Sequence, residues 1–232
     1  MRKILSFSEV IAMTILLIAS CQTATEPQKI RTPEERLQQW WSSVDSTVAL
    51  AQNGYLIERG GLDRISAGLR NFNDSDKAFS HAGLVFIEND TPFVYHVYMG
   101  DENPQGFTMR EPLRSFCNPE KLRSIGLYKY QLSAEQTSEL HQEVKRLYGE
   151  KMKFDKYFNL TTDSTMYCAE FIAKSIAKVT QNKLLIPTTT RKNVSFKEGI
   201  FGGQTADKLT YIALDNLYLN PFTTPVKRTV FQ

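Results

Sequence analysis

The sequence predicts an α+β fold in which an antiparallel sheet packs against helices. Short apolar runs bounded by turn residues predict two neighbouring strands at about residues 81–88 and 92–99. The residues ENDT at their junction predict a hairpin turn, because Asn and Asp tolerate turn geometry. Apolar residues at helical spacing occur before and after these strands. We therefore expect a central antiparallel sheet with helices packed on it.

Three segments have the apolar spacing of amphipathic helices. The first begins at a capping box formed by Thr32 and Glu35. The second begins at a capping box formed by Ser133 and Gln136 and extends to about residue 148. The third begins at about Cys168, directly after a loop rich in aromatic residues and turn formers.

The rest of the chain predicts further strands and loops. Strands are expected at residues 54–61 and 124–132, and a strand with a turn at residues 106–116. Residues 62–80 are polar and predict an irregular loop. Residues 183–232 predict turns with one or two strands and carry no recognisable motif.

The first 21 residues have the features of a bacterial lipoprotein signal peptide. A positively charged start is followed by an apolar stretch over residues 10–19, which is too short to span a bilayer comfortably. Small residues directly precede Cys21, as in the lipobox, in which the cysteine is acylated and becomes the mature N-terminus. The alternative is an ordinary signal peptide with an incidental cysteine. We expect Cys21 to carry the lipid.

The domain organisation and the location follow from this interpretation. Residues 22–31 are polar and predict a flexible tether, and residues 32–232 form the folded domain. Acyl chains on Cys21 would hold the protein on a membrane surface without a transmembrane helix. No later segment is apolar and long enough to span a bilayer. We therefore expect a protein of the cell envelope, lipid-anchored to a bacterial membrane.

Charge and composition exclude one class of partner. The formal net charge is +3, with 41% hydrophobic and 23% charged residues, which is ordinary for a soluble globular domain. The basic residues are scattered, and no run of five or more occurs. We therefore expect no nucleic-acid partner.

Two further cysteines lie in the domain, Cys117 and Cys168. In an oxidising envelope compartment they could form a disulfide. They could equally be one buried thiol and one reactive thiol, since disulfide geometry cannot be deduced from the sequence. No paired Cys or Cys/His spacing typical of zinc is present. We expect neither a metal nor an organic cofactor.

Cys168 is a candidate nucleophile because it lies in the first turn of a predicted helix. The unpaired N–H groups and the dipole of a helix N-terminus favour negative charge, so we expect a lowered thiol pKa. A thiol nucleophile also needs a base within hydrogen-bond reach. The alternative is a small buried residue that closes a contact between helix and sheet.

His81 and His96 are the candidate base and its orienting partner. A hairpin that turns within ENDT pairs odd positions of the first strand with even positions of the second, which places both histidines on one face. Such pairs come within about 5–8 Å at Cβ. A register shift of one residue would put His96 on the other face. The alternatives are a strand-edge histidine at 81 and a core histidine at 96, and His141 is interpreted as a solvated helix residue without chemistry.

Two motifs resemble those of a known group. SHAGLVF, with His81, and YCAEFI, with Cys168, look like the permuted papain-like cysteine hydrolases of the YiiX/YaeF type, in the NlpC-like superfamily that includes lecithin:retinol acyltransferase. In that group a strand-borne His precedes a Cys at a helix N-terminus, and the third residue on the next strand is Glu or His, here His96. Ala169 replaces the usual serine. The resemblance covers about residues 52–180 and implies a circularly permuted papain-like fold.

The resemblance also implies a mechanism and a function. His81 would take the proton of Cys168, the thiolate would attack a carbonyl, and water would release the acyl group from a thioester. The Cys168 N–H would meet the oxyanion, with Tyr167 considered as a further donor. The expected reaction is hydrolysis of an amide bond in a peptide or peptidoglycan fragment of the cell envelope.

Two other functions stay open. One is a lipid acyl hydrolase or acyltransferase, because a lipid anchor holds the protein next to bilayer substrates. The other is a non-catalytic binding module of the envelope, which poor reactivity toward iodoacetamide at neutral pH would favour.

Overall fold

A computed structural model describes residues 31–195 and 205–231. The strands of the central sheet are, in chain order, β1 (Tyr55–Gly61), β2 (His81–Glu88), β3 (Thr91–Val97), β4 (Thr108–Pro112), β5 (Leu122–Tyr130) and β8 (Thr223–Val230). Their order across the sheet is β4-β3-β2-β1-β5-β8, and each neighbouring pair is antiparallel. The predicted α+β class with an antiparallel sheet is confirmed.

Helices and a separate hairpin complete the described chain. The helices are α1 (Pro33–Leu50), α2 (Arg64–Arg70), α3 (Leu113–Phe116), α4 (Ala134–Gly149) and α5 (Cys168–Val179). The hairpin consists of β6 (Thr189–Ser195) and β7 (Thr205–Tyr211), and a 3₁₀ turn follows it at Leu214–Leu217. The helix starts predicted at the two capping boxes and at Cys168 are confirmed.

Two apolar clusters cover the two faces of the sheet. One face packs against α4 and α5, with Leu84, Val97 and Ile172 at 0% exposure. The other packs against α1 and α3, with Val85, Val94 and Phe116 at 0% exposure. Consecutive residues such as Leu84 and Val85 enter opposite clusters, because side chains alternate along a strand. Both faces of β2 are therefore buried.

The β2–β3 hairpin has the predicted turn and register. Asn89 and Asp90 have positive φ values of 49° and 61°, the left-handed region that tight hairpin turns require. Ile87 pairs with Pro92, which is one of the two registers expected from the sequence. Odd positions of β2 therefore face even positions of β3 across the hairpin.

Two expectations about secondary structure were incomplete. Residues 62–80 contain the helix α2, whose N-cap Asp63 accepts a hydrogen bond from Ser66 N–H. A helix of seven residues is too short to show helical periodicity in a polar segment. Residues 183–232 contribute three described strands, where one or two were expected. One of them, β8, joins the central sheet beside β5.

His141 is not a solvated helix residue, contrary to the sequence interpretation. Its ring stacks on Phe86 at 4.4 Å between centroids, and its Nε2 lies 2.8 Å from Glu88 Oε1. Glu88 also accepts hydrogen bonds from Tyr95 Oη at 2.6 Å and from Arg110 Nε at 2.9 Å. This carboxylate ties α4 to the end of the β2–β3 hairpin, so His141 has a structural role.

The signal peptide, Cys21 and residues 22–30 of the tether lie outside the described residues. Their interpretation stays a prediction. Across residues 31–195 and 205–231, no helix has the length and apolar character needed to cross a membrane.

Replacing Glu88 with Gln is expected to destabilise the fold by about 1–3 kcal/mol, because a charged acceptor of several hydrogen bonds is lost. Hydrogen bonds from Tyr95, His141 and Arg110 outweigh burial and lower the pKa of Glu88 from 4.5 to about 2. A lowered carboxyl pKa stabilises the folded state at pH values above the ordinary pKa. This stabilisation is lost as the pH falls through the pKa of the folded state.

Urea unfolding between about pH 4.5 and pH 2 measures this effect. The parent should lose stability more steeply across this window than Glu88→Gln. Glu139→Gln, an exposed substitution on α4, is the matched control. Equal pH slopes in the parent and Glu88→Gln would contradict the assignment.

Candidate active site

The candidate site lies where β2 and β3 separate. The β1–β2 ladder extends to Arg59 and His81, whereas the β2–β3 ladder ends at the pair of Leu84 and Tyr95. Residues 81–83 therefore pair with β1 on one side and lie beyond the end of the β2–β3 ladder on the other. We call this end of the β2–β3 ladder the opening.

The structure brings His81 and His96 together at this opening. His81 Nε2 lies 2.8 Å from His96 Nδ1. Only 8% of His81 and none of His96 is exposed. Both rings pack against Phe116, at 5.7 Å and 5.2 Å between centroids. The two histidines thus form one buried hydrogen-bonded pair across the hairpin.

Glu111 extends this pair, and the sequence analysis missed it. His96 Nε2 lies 3.0 Å from Glu111 Oε1. In the β3–β4 ladder His96 faces Met109, so Glu111, two positions later, shares its face of the sheet. The sequence signal was the expected strand within residues 106–116, but no register between β3 and β4 was assigned to it.

Glu111, His96 and His81 form a chain of hydrogen bonds, which we call the relay. The partners of each nitrogen indicate where its protons lie. Burial raises the pKa of Glu111, but the hydrogen bond from His96 and the charge of Arg59 outweigh it and lower the pKa. An ionised Glu111 accepts, so His96 Nε2 donates to it, and the Nδ1 of a neutral His96 is an acceptor. His81 Nε2–H then donates to that Nδ1. The remaining nitrogen, His81 Nδ1, carries a lone pair and can accept a proton.

Burial and a nearby cation keep both imidazoles neutral. Burial is the largest cause that lowers the pKa of His81 well below 6.5, and the charge of Arg59 lowers it further. Burial and Arg59 also lower the pKa of His96, against the raising effect of Glu111. Arg59 is opposite His81 in the β1–β2 ladder, and its guanidinium stacks on Phe116 at 4.1 Å. A neutral His81 is the form that acts as a base.

Cys168 is the first residue of α5, and 9% of it is exposed. Burial raises the pKa of its thiol to about 12, although hydrogen bonding by the backbone N–H groups of Ala82, Ala169 and Cys168 itself lowers it. The expectation of a lowered pKa at the helix N-terminus is therefore wrong. Desolvation of the charged form outweighs the N–H groups at this helix end, so the resting group is a thiol.

The sulfur and the His81 ring come to the same part of β2 but do not share a hydrogen bond. The Ala82 N–H that faces the sulfur belongs to the residue directly after His81. Cys168 packs in the cluster on the α5 face, whereas His81 packs against Phe116 of the opposite cluster. Within the described chain, His81 is thus hydrogen-bonded to His96, and Cys168 lies beside Ala82, the residue that follows His81.

Cys117 and Cys168 are both free and buried. This excludes the disulfide between them that the sequence left open. Cys117 follows α3 and is 0% exposed, and burial raises the pKa of its thiol to about 12. Cys117 is therefore a structural thiol.

Tyr167 is not available to a substrate. Its hydroxyl accepts a hydrogen bond from Ile212 N–H at 2.6 Å and donates to the Ile212 carbonyl at 3.3 Å. The ring is 2% exposed. The suggestion of Tyr167 as an oxyanion donor is therefore wrong, because its only proton is already committed.

The chain matches no family model and no curated protein. Among solved structures it matches the crystal structure of the metalloprotein YiiX from Escherichia coli O157:H7, DUF1105, with a TM-score of 0.58. The fold of this chain is similar to that of YiiX. The match covers 78% of this chain and 99% of YiiX at 18% identity. The YiiX-type resemblance is confirmed for the fold, and the permuted papain-like relation stays an interpretation.

YiiX is called a metalloprotein, which raises the question of whether the residues of this site fit a metal ion. Among the residues that the structure describes, no group of three or more His, Cys, Asp or Glu side chains could hold a metal ion. The facing nitrogens of His81 and His96 are hydrogen-bonded to each other. The described residues of this site therefore do not fit a bound metal.

Alkylation with iodoacetamide is expected to be slow for both buried thiols at neutral pH. At pH values below the pKa of Cys168, its thiolate fraction should increase about tenfold for each unit by which the pH is raised. Cys168 should react before Cys117, because only Cys168 has measurable exposure. Mass spectrometry of the labelled protein measures both rates. Fast labelling of Cys168 at or below pH 7 would contradict a protonated resting thiol.

Proposed function

We propose that the protein is a cysteine-dependent hydrolase that cleaves an amide bond through an acyl-thioester, with Cys168, His81 and His96 as its catalytic residues and positioning partner. The observation that carries this proposal is the relay from Glu111 through His96 to His81. By the tautomers assigned above, His81 keeps one unprotonated nitrogen, and the following residue in the chain, Ala82, has the N–H that faces the Cys168 sulfur. The YiiX-like fold supports the proposal at the level of architecture.

The reaction starts from a thiol and a neutral imidazole. As the Cys168 sulfur attacks the carbonyl carbon, His81 Nδ1 takes the thiol proton, and the carbonyl electron pair moves to oxygen. The free protein has no hydrogen bond between thiol and imidazole among its described residues, and the two side chains pack against opposite clusters. The proposal therefore requires that the thiol and the imidazole come together in the substrate complex, since catalytic hydrogen bonds are often long or poorly aligned in the free enzyme. His96 and Glu111 hold the ring of His81 and its tautomer throughout.

The second half of the reaction returns the protein to its starting state. The C–N bond breaks, and the amine leaves with the proton held by His81. Water then gives a proton to His81, attacks the thioester carbon and releases the acid, and the sulfur regains its proton. In this proposal the N–H groups of Cys168 and Ala82, which face the sulfur, donate to the oxyanion that forms on the attacked carbonyl.

The proposed substrate is a peptide or peptidoglycan fragment of the cell envelope. This part of the proposal rests on the lipobox-like sequence at Cys21, which predicts a lipid anchor on a bacterial membrane. The same anchor favours a second candidate, a lipid acyl hydrolase or acyltransferase, because the chain would be held beside bilayer esters. Side-by-side assays with peptidoglycan peptides and short-chain phospholipid esters separate the two.

A non-catalytic binding module is the remaining alternative. Slow alkylation does not distinguish it from an enzyme, because burial of Cys168 predicts slow alkylation in either case. Turnover is the measurement that decides, together with trapping by a thiol-reactive acyl probe. An enzyme forms an acyl adduct on Cys168, and a binding module does not.

Substitution Cys168→Ala is expected to abolish turnover, because the attacking sulfur is lost. Cys117→Ala, the matched control, should retain most of the activity, since Cys117 is fully buried and no step involves it. Product formation is measured with peptidoglycan peptides and with short-chain esters, and mass spectrometry locates the trapped acyl group. Equal activity in Cys168→Ala and the parent would refute the mechanism.

Substitution Glu111→Leu is expected to lower kcat by up to about 100-fold, because His96 loses its acceptor and the His81 ring loses its orientation. Glu111→Gln keeps an acceptor and should have a smaller effect. The Glu111 carboxylate raises the pKa of His96, and the relay needs a neutral His96 to accept the hydrogen bond from His81. Loss of the carboxylate lowers the pKa of His96, so in both variants the acidic limb of the kcat/KM profile should move to lower pH.

The exposed substitution Glu120→Gln is the control for that experiment. A structural role of Glu111 alone would lower the amount of folded protein without moving the pH profile. An unchanged acidic limb in Glu111→Gln would therefore remove Glu111 from the relay.

A further inference from the structure

A cavity of about 600 Å³ opens between α2, the loop before β2 and the ends of β5 and β8. None of Cys168, His81 and His96 lines it. Its ionisable lining residues are four cationic side chains and one carboxylate: Arg70, Lys77, Arg123, Arg228 and Asp76. The cavity is therefore separate from the candidate catalytic site and strongly cationic.

Only one of the four cations is neutralised within the lining. Arg228 donates to both carboxylate oxygens of Asp76, at 2.5 Å and 3.1 Å. Arg70 donates to the Gly61 carbonyl at 2.5 Å, and Lys77 to a carbonyl of α2's C-cap at 3.3 Å. Carbonyl oxygens accept hydrogen bonds but carry no full charge. Arg70, Lys77 and Arg123 thus bring three positive charges to one cavity without an ion pair to a carboxylate of its lining, while the charge of Asp63 acts on Arg70 from outside the lining.

Arg123 has no hydrogen-bond or ion-pair partner for its guanidinium among the described residues. The residue is half-buried. Its stem packs over Gly60, where an added Cβ would lie 3.2 Å from Arg123 Cγ and only 2.1 Å from the Ala78 carbonyl. Burial and the charge of Arg123 lower the pKa of Arg70 against the raising effect of Asp63, so the two guanidinium groups repel each other across the cavity.

We propose that this cavity binds a phosphate group through Arg70, Lys77 and Arg123. A guanidinium presents parallel N–H donors that match two phosphate oxygens, and an ammonium adds a point charge. A phosphate dianion offsets more of this positive charge than a single carboxylate does. The group comes from one of two sources, a soluble phosphorylated molecule or the headgroup of a phospholipid.

Titration calorimetry with the full chain tests the proposal, using inorganic phosphate in one arm and water-soluble dihexanoyl phosphatidic acid in the other. Arg123→Gln should weaken binding by about tenfold or more, since a charge-assisted pair is lost. Lys77→Gln, at an exposed position, tests the same cavity if Arg123→Gln folds poorly. Arg64→Gln is the matched control, because Arg64 is exposed on α2 and does not line the cavity.

Each outcome decides the proposal. Arg123-dependent binding of inorganic phosphate supports a soluble ligand, and Arg123-dependent binding of the phosphatidic acid alone supports a headgroup. Binding should be unchanged in Cys168→Ala, since the cavity does not depend on the thiol. Failure of both ligands to bind, or equal loss in Arg64→Gln and Arg123→Gln, would overturn the assignment while leaving the hydrolase proposal untouched.

Discussion

The hydrogen bond between His81 and His96 is the interaction on which the candidate site depends. It spans the place where β2 and β3 separate, and it is buried, so water does not compete for either nitrogen. Glu111 fixes the tautomer of His96, and His96 in turn fixes that of His81. A single carboxylate on β4 therefore determines which nitrogen of His81 is able to accept a proton.

Burial has opposite effects on the two ends of the proposed reaction. It lowers the pKa of His81, which keeps the base unprotonated, and raises the pKa of Cys168, which keeps the nucleophile protonated. The site thus rests as a neutral pair instead of a thiolate and an imidazolium. In the proposed reaction, thiol and imidazole become charged only when a substrate is attacked, and the N–H groups near the sulfur would stabilise the negative charge that develops.

Periodicity made the sheet, the β2–β3 register and the helix starts predictable, because Thr32, Ser133 and the residues before Cys168 carry local signals that packing did not override. The pairing of His81 with His96 followed from that register. Glu111 was not predictable, since the β3–β4 register depends on contacts across a loop. The raised pKa of Cys168 was missed because burial is a tertiary property that a helix-end argument omits.

Gly83 shows how far the site depends on a residue with no functional group. A Cβ at this position would lie 2.4 Å from Val94 Cγ1 and 3.1 Å from His96 Cβ. The absence of a side chain at Gly83 therefore lets β3, which carries His96, lie close to β2, which carries His81. Any larger residue would push that strand outward and part the two imidazoles. If the proposed hydrolysis is correct, a saturation mutagenesis screen for that activity should find position 83 about as intolerant as His81 and His96, although Gly83 takes part in no bond-making step.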